Sequence, residues 1–267
     1  MAVGSWPRIM GMCYEPGTET GTLRFEINPQ EVMRLQGYRR PLDVPTPDIL
    51  AILQAAMAEG QQVLTPRCVY REFQIESVDS SGCRLHGGTD LLIREVPKRW
   101  GGITAVGLVV CTIEDAIEHR IESLFAEREF PLAYMLDSIG SVAAEALAEG
   151  VLRELCVERL ARGLKVTSRE SPGYIRWPIE EQRKVFALLP AETIGVGLNA
   201  YCIMVPRKSI SYAIGVGPEA KTGSALSPCR SCDMRSCAYR RAPRHRTPVP
   251  AWTFSVSPLV LGFSQNS

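Results

Sequence analysis

Arginine, proline, glycine and tyrosine stand close together in the segment Arg169–Tyr174, and these residue types suit a specific kind of ligand. Arginine is a permanent cation that can hold a carboxylate through two parallel hydrogen bonds. Proline and glycine favour a sharp turn that displays backbone polar groups, and tyrosine adds an aromatic face. The segment therefore suits a zwitterionic ligand that carries an aromatic base, although an ordinary solvated surface turn has the same composition.

Three other stretches place this turn in a larger pattern. Ala144–Glu149 has the form Ala-Glu-Ala-x-Ala-Glu, 194–195 is Ile-Gly, and Met204–Ser211 has the form Met-x-Pro-x-x-Ser-x-Ser. Together with Arg169–Tyr174 they follow the order found in the reactivation domain of cobalamin-dependent methionine synthase, and residues 130–218 resemble that domain. The resemblance implies that the chain binds S-adenosylmethionine. The ligand contacts that it implies are Glu145, Arg169, Ser171, Gly173 and Tyr174.

The resemblance also implies a role for each of these contacts. Arg169 would hold the carboxylate of the ligand, and Glu145 would accept hydrogen bonds from its ammonium group. Backbone groups at Ser171 and Gly173 would read the adenine or the ribose, while Tyr174 would pack against the sulfonium or the adenine. Two structural alternatives stay open. Glu145 can form an ion pair on a helix face, and Tyr174 can be a half-buried core residue.

None of the three histidines, His86, His119 and His245, lies in a recognisable nucleophile or general-base motif. Methyl transfer from a sulfonium needs no protein acid or base, because the leaving thioether is neutral. The resemblance implies a methyltransferase-associated subunit that is active only with a corrinoid partner. The partner would be the corrinoid-binding core of a methionine synthase, whose oxidised cobalamin is reduced by a low-potential electron donor and remethylated. A second possibility is a reductive activator of another corrinoid methyltransferase.

A cysteine cluster follows the region of resemblance. Cys229, Cys232 and Cys237 lie within nine residues of a polar, turn-rich stretch, where buried core thiols are not expected. The spacing predicts a metal site and suits either an iron–sulfur cluster or a structural zinc. For a cluster the candidates for a fourth ligand are Cys202 and Cys13, and for zinc the candidate is His245. The arginines that follow allow a third, weaker interpretation, a zinc-knuckle-type module that binds nucleic acid.

Composition limits the remaining possibilities. The 267 residues carry a formal net charge of +1, which gives no electrostatic case for binding nucleic acid or an anionic membrane. No secretory signal is recognisable at 1–17, and the longest apolar runs fall short of the roughly 20 residues that span a bilayer. We therefore expect a cytoplasmic protein without a membrane partner, whose nine cysteines are reduced thiols, metal ligands or core residues rather than disulfides.

The pattern of helices and strands predicts an α+β fold, with a mainly antiparallel twisted sheet packed against long helices in a single domain. Residues 103–111 are apolar almost throughout, which indicates a central strand buried on both faces. A long helix rich in small residues is expected at 131–162, a strand at 164–168, and a hairpin of 200–205 with 209–216. The predicted organisation is a loose segment at 1–22, the reactivation-like domain at 23–218, the cysteine-rich metal-binding segment at 219–241 and a flexible tail at 242–267.

Overall fold

The fold is built around an antiparallel sheet whose central strand is buried on both faces. A computed structural model describes residues 9–14, 21–38 and 43–222. Its strands are β1 (Ile9–Tyr14), β2 (Gly21–Phe25), β3 (Arg67–Val78), β4 (Cys83–Leu85), β5 (Asp90–Leu91), β6 (Gly101–Gly102), β7 (Ala105–Thr112), β8 (Lys165–Val166), β9 (Gly197–Leu198), β10 (Met204–Val205), β11 (Ser209–Gly217) and β12 (Glu219–Ala220). Its α-helices are α1 (Pro29–Leu35), α2 (Pro47–Val63), α3 (Val96–Trp100), α4 (Ala116–Ala126), α5 (Phe130–Ala161) and α6 (Gln182–Leu188).

The main sheet has the strand order β2-β1-β3-β7-β11-β8, and β4 and β5 extend it beside β3. All of its pairings are antiparallel except that of β1 with β3. Every residue of β7 is buried, as its almost entirely apolar sequence predicts. The mixed helix and sheet, the mainly antiparallel pairing and the single domain confirm the predicted fold class.

Helix α5 covers one face of the sheet, with α2 and α4 packed beside it. Its small residues let the neighbouring helices approach closely. A Cβ atom added at Gly140 of α5 would lie 3.1 Å from the Ile117 side chain of α4, so a larger residue at this position would push these two helices apart. On the opposite face, a second apolar layer contains Trp100 and Trp177 together with side chains from α3 and α6. The long helix expected at 131–162 is confirmed with ends shifted by one residue.

Several local expectations were wrong. Part of the segment 1–22, expected to attach loosely, forms β1, which pairs with both β2 and β3. The strand expected at 164–168 is only two residues long, and β10 pairs with β9 instead of forming a hairpin with β11. The sheet structure also continues past residue 218, because β12 pairs with β6. No helix in the described ranges combines the length and the apolar character needed to cross a membrane.

The expectation that the chain contains no disulfide was also wrong. Cys68 in β3 is disulfide-bonded. Cys83 and Cys111 are free and buried, as expected for core thiols. Burial, with smaller contributions from Asp90 and Asp79, raises the pKa of Cys83 to about 12, so this thiol stays protonated at neutral pH.

Candidate functional site

A cavity of about 260 Å³ lies beside the first half of β11, where α5 and the loops around Tyr174 and Met204 meet it. Both side-chain faces of the strand contribute to its wall, since Ser209 and Ser211 point to one face and Ile210 points to the other. The residues that line it are Glu145, Arg169, Ser171, Pro172, Tyr174, Ile179, Gln182, Cys202, Ile203, Met204, Arg207, Ser209, Ile210 and Ser211.

Arg169 is the most deeply buried of the charged residues that line this cavity. It is only 4% exposed, it forms an ion pair with Glu145 of α5, and its guanidinium lies 5.7 Å from the centroid of the Tyr212 ring. Burial disfavours the charged form, but Glu145, with smaller contributions from Tyr212 and Glu149, outweighs that effect, and the pKa of Arg169 is raised above its ordinary value. Arg169 is therefore a fixed cation at neutral pH.

The Nε atom of Arg169 is buried and has no hydrogen-bond partner among the described residues. A buried donor without an acceptor is costly, by roughly 1–3 kcal/mol, and more for a charged group. An anionic group that enters the cavity beside the guanidinium would relieve that cost. The wall of the cavity thus offers a cation with unused hydrogen-bonding capacity next to a partly exposed carboxylate, which is the donor and acceptor set that an amino-acid zwitterion needs.

The turn after Arg169 is held by backbone hydrogen bonds at both ends. Glu170 forms a bridge with Ala213 of β11, and farther along the Gly173 N–H donates to the Trp177 carbonyl at 2.8 Å. Gly173 has φ +90°, which L side chains rarely adopt, and a Cβ atom there would lie 3.1 Å from Ile179. The geometry of the turn therefore requires glycine at this position.

The structure brings four of the five predicted contact residues, Glu145, Arg169, Ser171 and Tyr174, to the same cavity. Gly173 lies in the same turn but does not line the cavity. Its role in the structure is to adopt the backbone conformation that the turn requires. Glu145 does form a helix-face ion pair, and its partner is Arg169 itself. Tyr174 is 45% exposed, so it is not a core residue.

Sequence reasoning missed one polar group in the cavity wall. Gln182, at the start of α6, is buried, and its Oε1 accepts a hydrogen bond of 2.8 Å from the Ser211 hydroxyl. Ser211 was noticed only as part of the Met-x-Pro-x-x-Ser-x-Ser pattern. No signal near Gln182 in the sequence marks it, because its partner lies 29 residues away.

The predicted metal ligands Cys229, Cys232 and Cys237 and the candidate His245 lie outside the described residues. Within the described ranges, no group of three or more His, Cys, Asp or Glu side chains is arranged to hold a metal ion. Cys202, one candidate for a fourth ligand, is buried and lines the cavity.

Comparison with solved structures finds a domain of similar fold. The crystal structure of the MetH reactivation domain bound to AdoHcy superposes on this protein with a TM-score of 0.52. The match covers 68% of this chain and 69% of that chain, with 16% sequence identity. The two proteins share a fold. No protein-family model matches the sequence, and no curated protein matches it.

Proposed function

We propose that the protein binds S-adenosylmethionine in the cavity beside β11 and acts as a stand-alone subunit for reductive reactivation of cobalamin-dependent methionine synthase. The observation that carries this proposal is the buried Arg169, with its unpartnered Nε and its Glu145 partner, in the cavity wall. The likeness in fold to a reactivation domain bound to AdoHcy supports it. AdoHcy, S-adenosylhomocysteine, is the product that remains when S-adenosylmethionine loses its methyl group.

Charge complementarity supports this choice of ligand. The carboxylate of an amino acid would receive hydrogen bonds from Arg169, and its ammonium group would be held by Glu145, whose side chain is 32% exposed. Because both charges of the zwitterion meet an opposite charge, the ion pair that exists in the protein is replaced by two new ones rather than broken without compensation. Tyr174 supplies an aromatic face for the sulfonium or the adenine.

The protein itself would contribute binding and orientation rather than acid–base catalysis. The partner's corrinoid, once reduced by one electron from a low-potential donor, supplies the nucleophile that takes the methyl group from the sulfonium. The leaving thioether is neutral, so no proton has to be moved. The remaining requirement is that the methyl group faces the mouth of the cavity, where a partner can approach.

The mouth of the cavity is apolar and exposed, which favours docking of another macromolecule. Tyr174, Ile179 and Ile203 line the cavity and remain 45%, 37% and 51% exposed. Ile175 and Val205, which each follow a lining residue in the chain, are 61% and 54% exposed. Exposed apolar patches of this kind usually mark interaction sites. A corrinoid-binding domain is the partner that the proposal requires. Another corrinoid methyltransferase would fit the same mouth, and identifying the corrinoid protein that co-purifies would discriminate between the two.

We expect the isolated protein to make no methionine from homocysteine. The sequence contains no Asp-x-His-x-x-Gly loop of the kind that binds cobalamin, so the methyl carrier must come from the partner. The assay measures methionine formation by the pure chain, and then remethylation of the partner's cob(II)alamin after the chain, S-adenosylmethionine and a low-potential donor are added. Sustained methionine formation by the pure chain would contradict the assignment to an accessory subunit.

The cysteine cluster is proposed to serve electron delivery and not ligand binding. Replacing Cys229, Cys232 and Cys237 with serine should leave S-adenosylmethionine affinity nearly unchanged, because none of the three belongs to the predicted ligand contacts. The triple variant should slow remethylation of the partner's cob(II)alamin. Iron, zinc and sulfide analysis of anaerobically purified protein identifies the metal. Normal remethylation by the variant would rule out the redox role, whereas loss of folding would indicate a structural metal.

A further inference from the structure

The ligand turn, residues 169–177, is bonded to a second segment of the chain. This support segment, residues 90–100, runs from β5 through α3. The Arg94 N–H donates to the Arg176 carbonyl at 3.0 Å, and the Arg176 guanidinium donates to the Glu95 carboxylate, also at 3.0 Å. Glu95 has φ +61°, which L side chains rarely adopt, so the surrounding contacts must maintain this conformation. The support segment thus holds the far end of the ligand turn.

An ion pair joins the support segment to the near end of the ligand turn. Arg99 of α3 pairs with Glu170, whose backbone also forms a bridge with Ala213 of β11. The two side chains are only 14% and 9% exposed, and Arg99 Nη1 has no hydrogen-bond partner among the described residues. Because water screens such a pair poorly, loss of the Glu170 carboxylate would leave a largely buried cation without compensation.

Glu170 is the chain neighbour of Arg169, the cation of the proposed ligand site. Arg169 reaches Glu145 of α5 on one face of the main sheet, and Glu170 reaches α3 on the other face, as successive side chains along a strand do. The two ion pairs fix this point of the backbone from both sides. A movement of Glu170 would therefore also move the guanidinium that the ligand carboxylate would meet.

We propose that Glu170 is a positioning residue for the ligand site, which acts through its ion pair with Arg99 to hold the ligand turn in its binding conformation. The consequence for S-adenosylmethionine rests on the proposed function. A buried ion pair often contributes little net stability compared with apolar residues of similar volume, whereas its charges and hydrogen bonds specify one arrangement. The pair therefore matters more for the conformation of the ligand turn than for the stability of the fold.

Three variants of the full chain separate positioning from stability. Glu170→Leu leaves Arg99 unpaired, so it should lower the free energy of unfolding and weaken AdoHcy binding about tenfold, the loss of about one hydrogen bond to a charged group. Glu170→Leu/Arg99→Met replaces the pair by apolar side chains and should recover stability but not affinity. Glu170→Arg/Arg99→Glu forms a pair with exchanged charges and should recover most of both. Urea unfolding measures the stability, and titration calorimetry measures the affinity.

Hydrogen exchange tests the positioning without any ligand. In the ligand turn, the Gly173 N–H donates to the Trp177 carbonyl at 2.8 Å, and the Trp177 N–H donates to the Tyr174 carbonyl at 3.0 Å. Exchange of these amides in the ligand-free protein should be about tenfold faster in Glu170→Leu and in the apolar double variant, because the turn opens more readily. The variant with exchanged charges should exchange these amides at a rate close to that of the unaltered protein.

The ion pair of Arg159 with Glu72, at 2.9 Å, is a matched control, because Arg159 is also buried but does not line the cavity. Glu72→Leu/Arg159→Met should change neither the affinity nor the exchange in the ligand turn. The positioning role is overturned if exchange is unchanged in Glu170→Leu, or if the apolar double variant recovers affinity and slow exchange together with stability. If Glu170→Leu does not fold, the two double variants decide. If the unaltered protein does not bind AdoHcy, the proposed function is rejected, and hydrogen exchange alone decides the role of Glu170.

Discussion

Replacing Arg169 with alanine is expected to weaken S-adenosylmethionine binding by at least tenfold. The side chain is 4% exposed and lies in the cavity wall, so its charge is poorly screened by water. Hydrogen bonds to a charged group contribute on the order of 1.5–3 kcal/mol, and about 1.4 kcal/mol corresponds to a factor of ten in affinity. Arg169→Lys should recover only part of the loss, because an ammonium cannot hold a carboxylate bidentately. Titration calorimetry with S-adenosylmethionine measures the affinity of both variants.

Arg159 provides a matched control for this experiment. It is also 4% exposed, it pairs with the Glu72 carboxylate at 2.9 Å, and its guanidinium lies 5.5 Å from the centroid of the Tyr70 ring. Arg159→Ala should therefore destabilise the fold as Arg169→Ala does, yet it should leave the affinity of the folded protein unchanged, because Arg159 does not line the cavity. If Arg169→Ala and the unaltered protein bind S-adenosylmethionine equally, the assignment of Arg169 is wrong.

The central elements of the fold could be predicted because their signals are local and continuous. β7 is apolar except for its last residue, Thr112, which is the pattern of a strand buried on both faces. α5 combines small and apolar residues over 32 positions without an internal proline beyond its first turn. Apolar patterns of this length determine the secondary structure even where single residues have other helix or strand propensities. Both elements lie close to the positions that the sequence predicts.

Pairings between short strands could not be predicted in the same way. Two-residue strands such as β8, β9 and β10 are too short to show a periodic hydrophobic pattern. Which strands they pair with depends on the packing around them. β1 was missed because glycine, proline and threonine residues interrupt the segment 1–22 that contains it, and only its pairing with β2 and β3 reveals it as a strand.

The candidate site shows the same division between local and long-range information. Residues Arg169, Ser171 and Tyr174 belong to one short motif, so their presence at one cavity follows from the sequence. The ion pair between Arg169 and Glu145 joins residues 24 positions apart. The contact between Ser211 and Gln182 depends on how α6 packs against β11, and no local sequence pattern predicts that packing.

Replacing Trp177 with alanine is expected to be the most damaging single change near the site. Its side chain is fully buried, and its backbone carbonyl and N–H bond to Gly173 and Tyr174 at 2.8 and 3.0 Å. Losing a large core aromatic costs about 3–5 kcal/mol, a large fraction of the stability of a typical domain. The turn that carries Ser171 and Tyr174 is hydrogen-bonded to the backbone of Trp177, which the buried indole anchors, so ligand affinity should fall together with stability.

Trp177→Phe separates the contribution of ring volume from that of the indole N–H. The Trp177 Nε1 is buried and has no hydrogen-bond partner among the described residues, so removing this N–H leaves no acceptor unsatisfied. Trp177→Phe should therefore lower the free energy of unfolding clearly less than Trp177→Ala does. It should also retain the affinity for S-adenosylmethionine. Urea unfolding monitored by circular dichroism gives both stabilities, and calorimetry of the folded variants gives the affinities. Equal destabilisation by phenylalanine and alanine would show that the indole N–H has a partner that matters more than the volume of the ring.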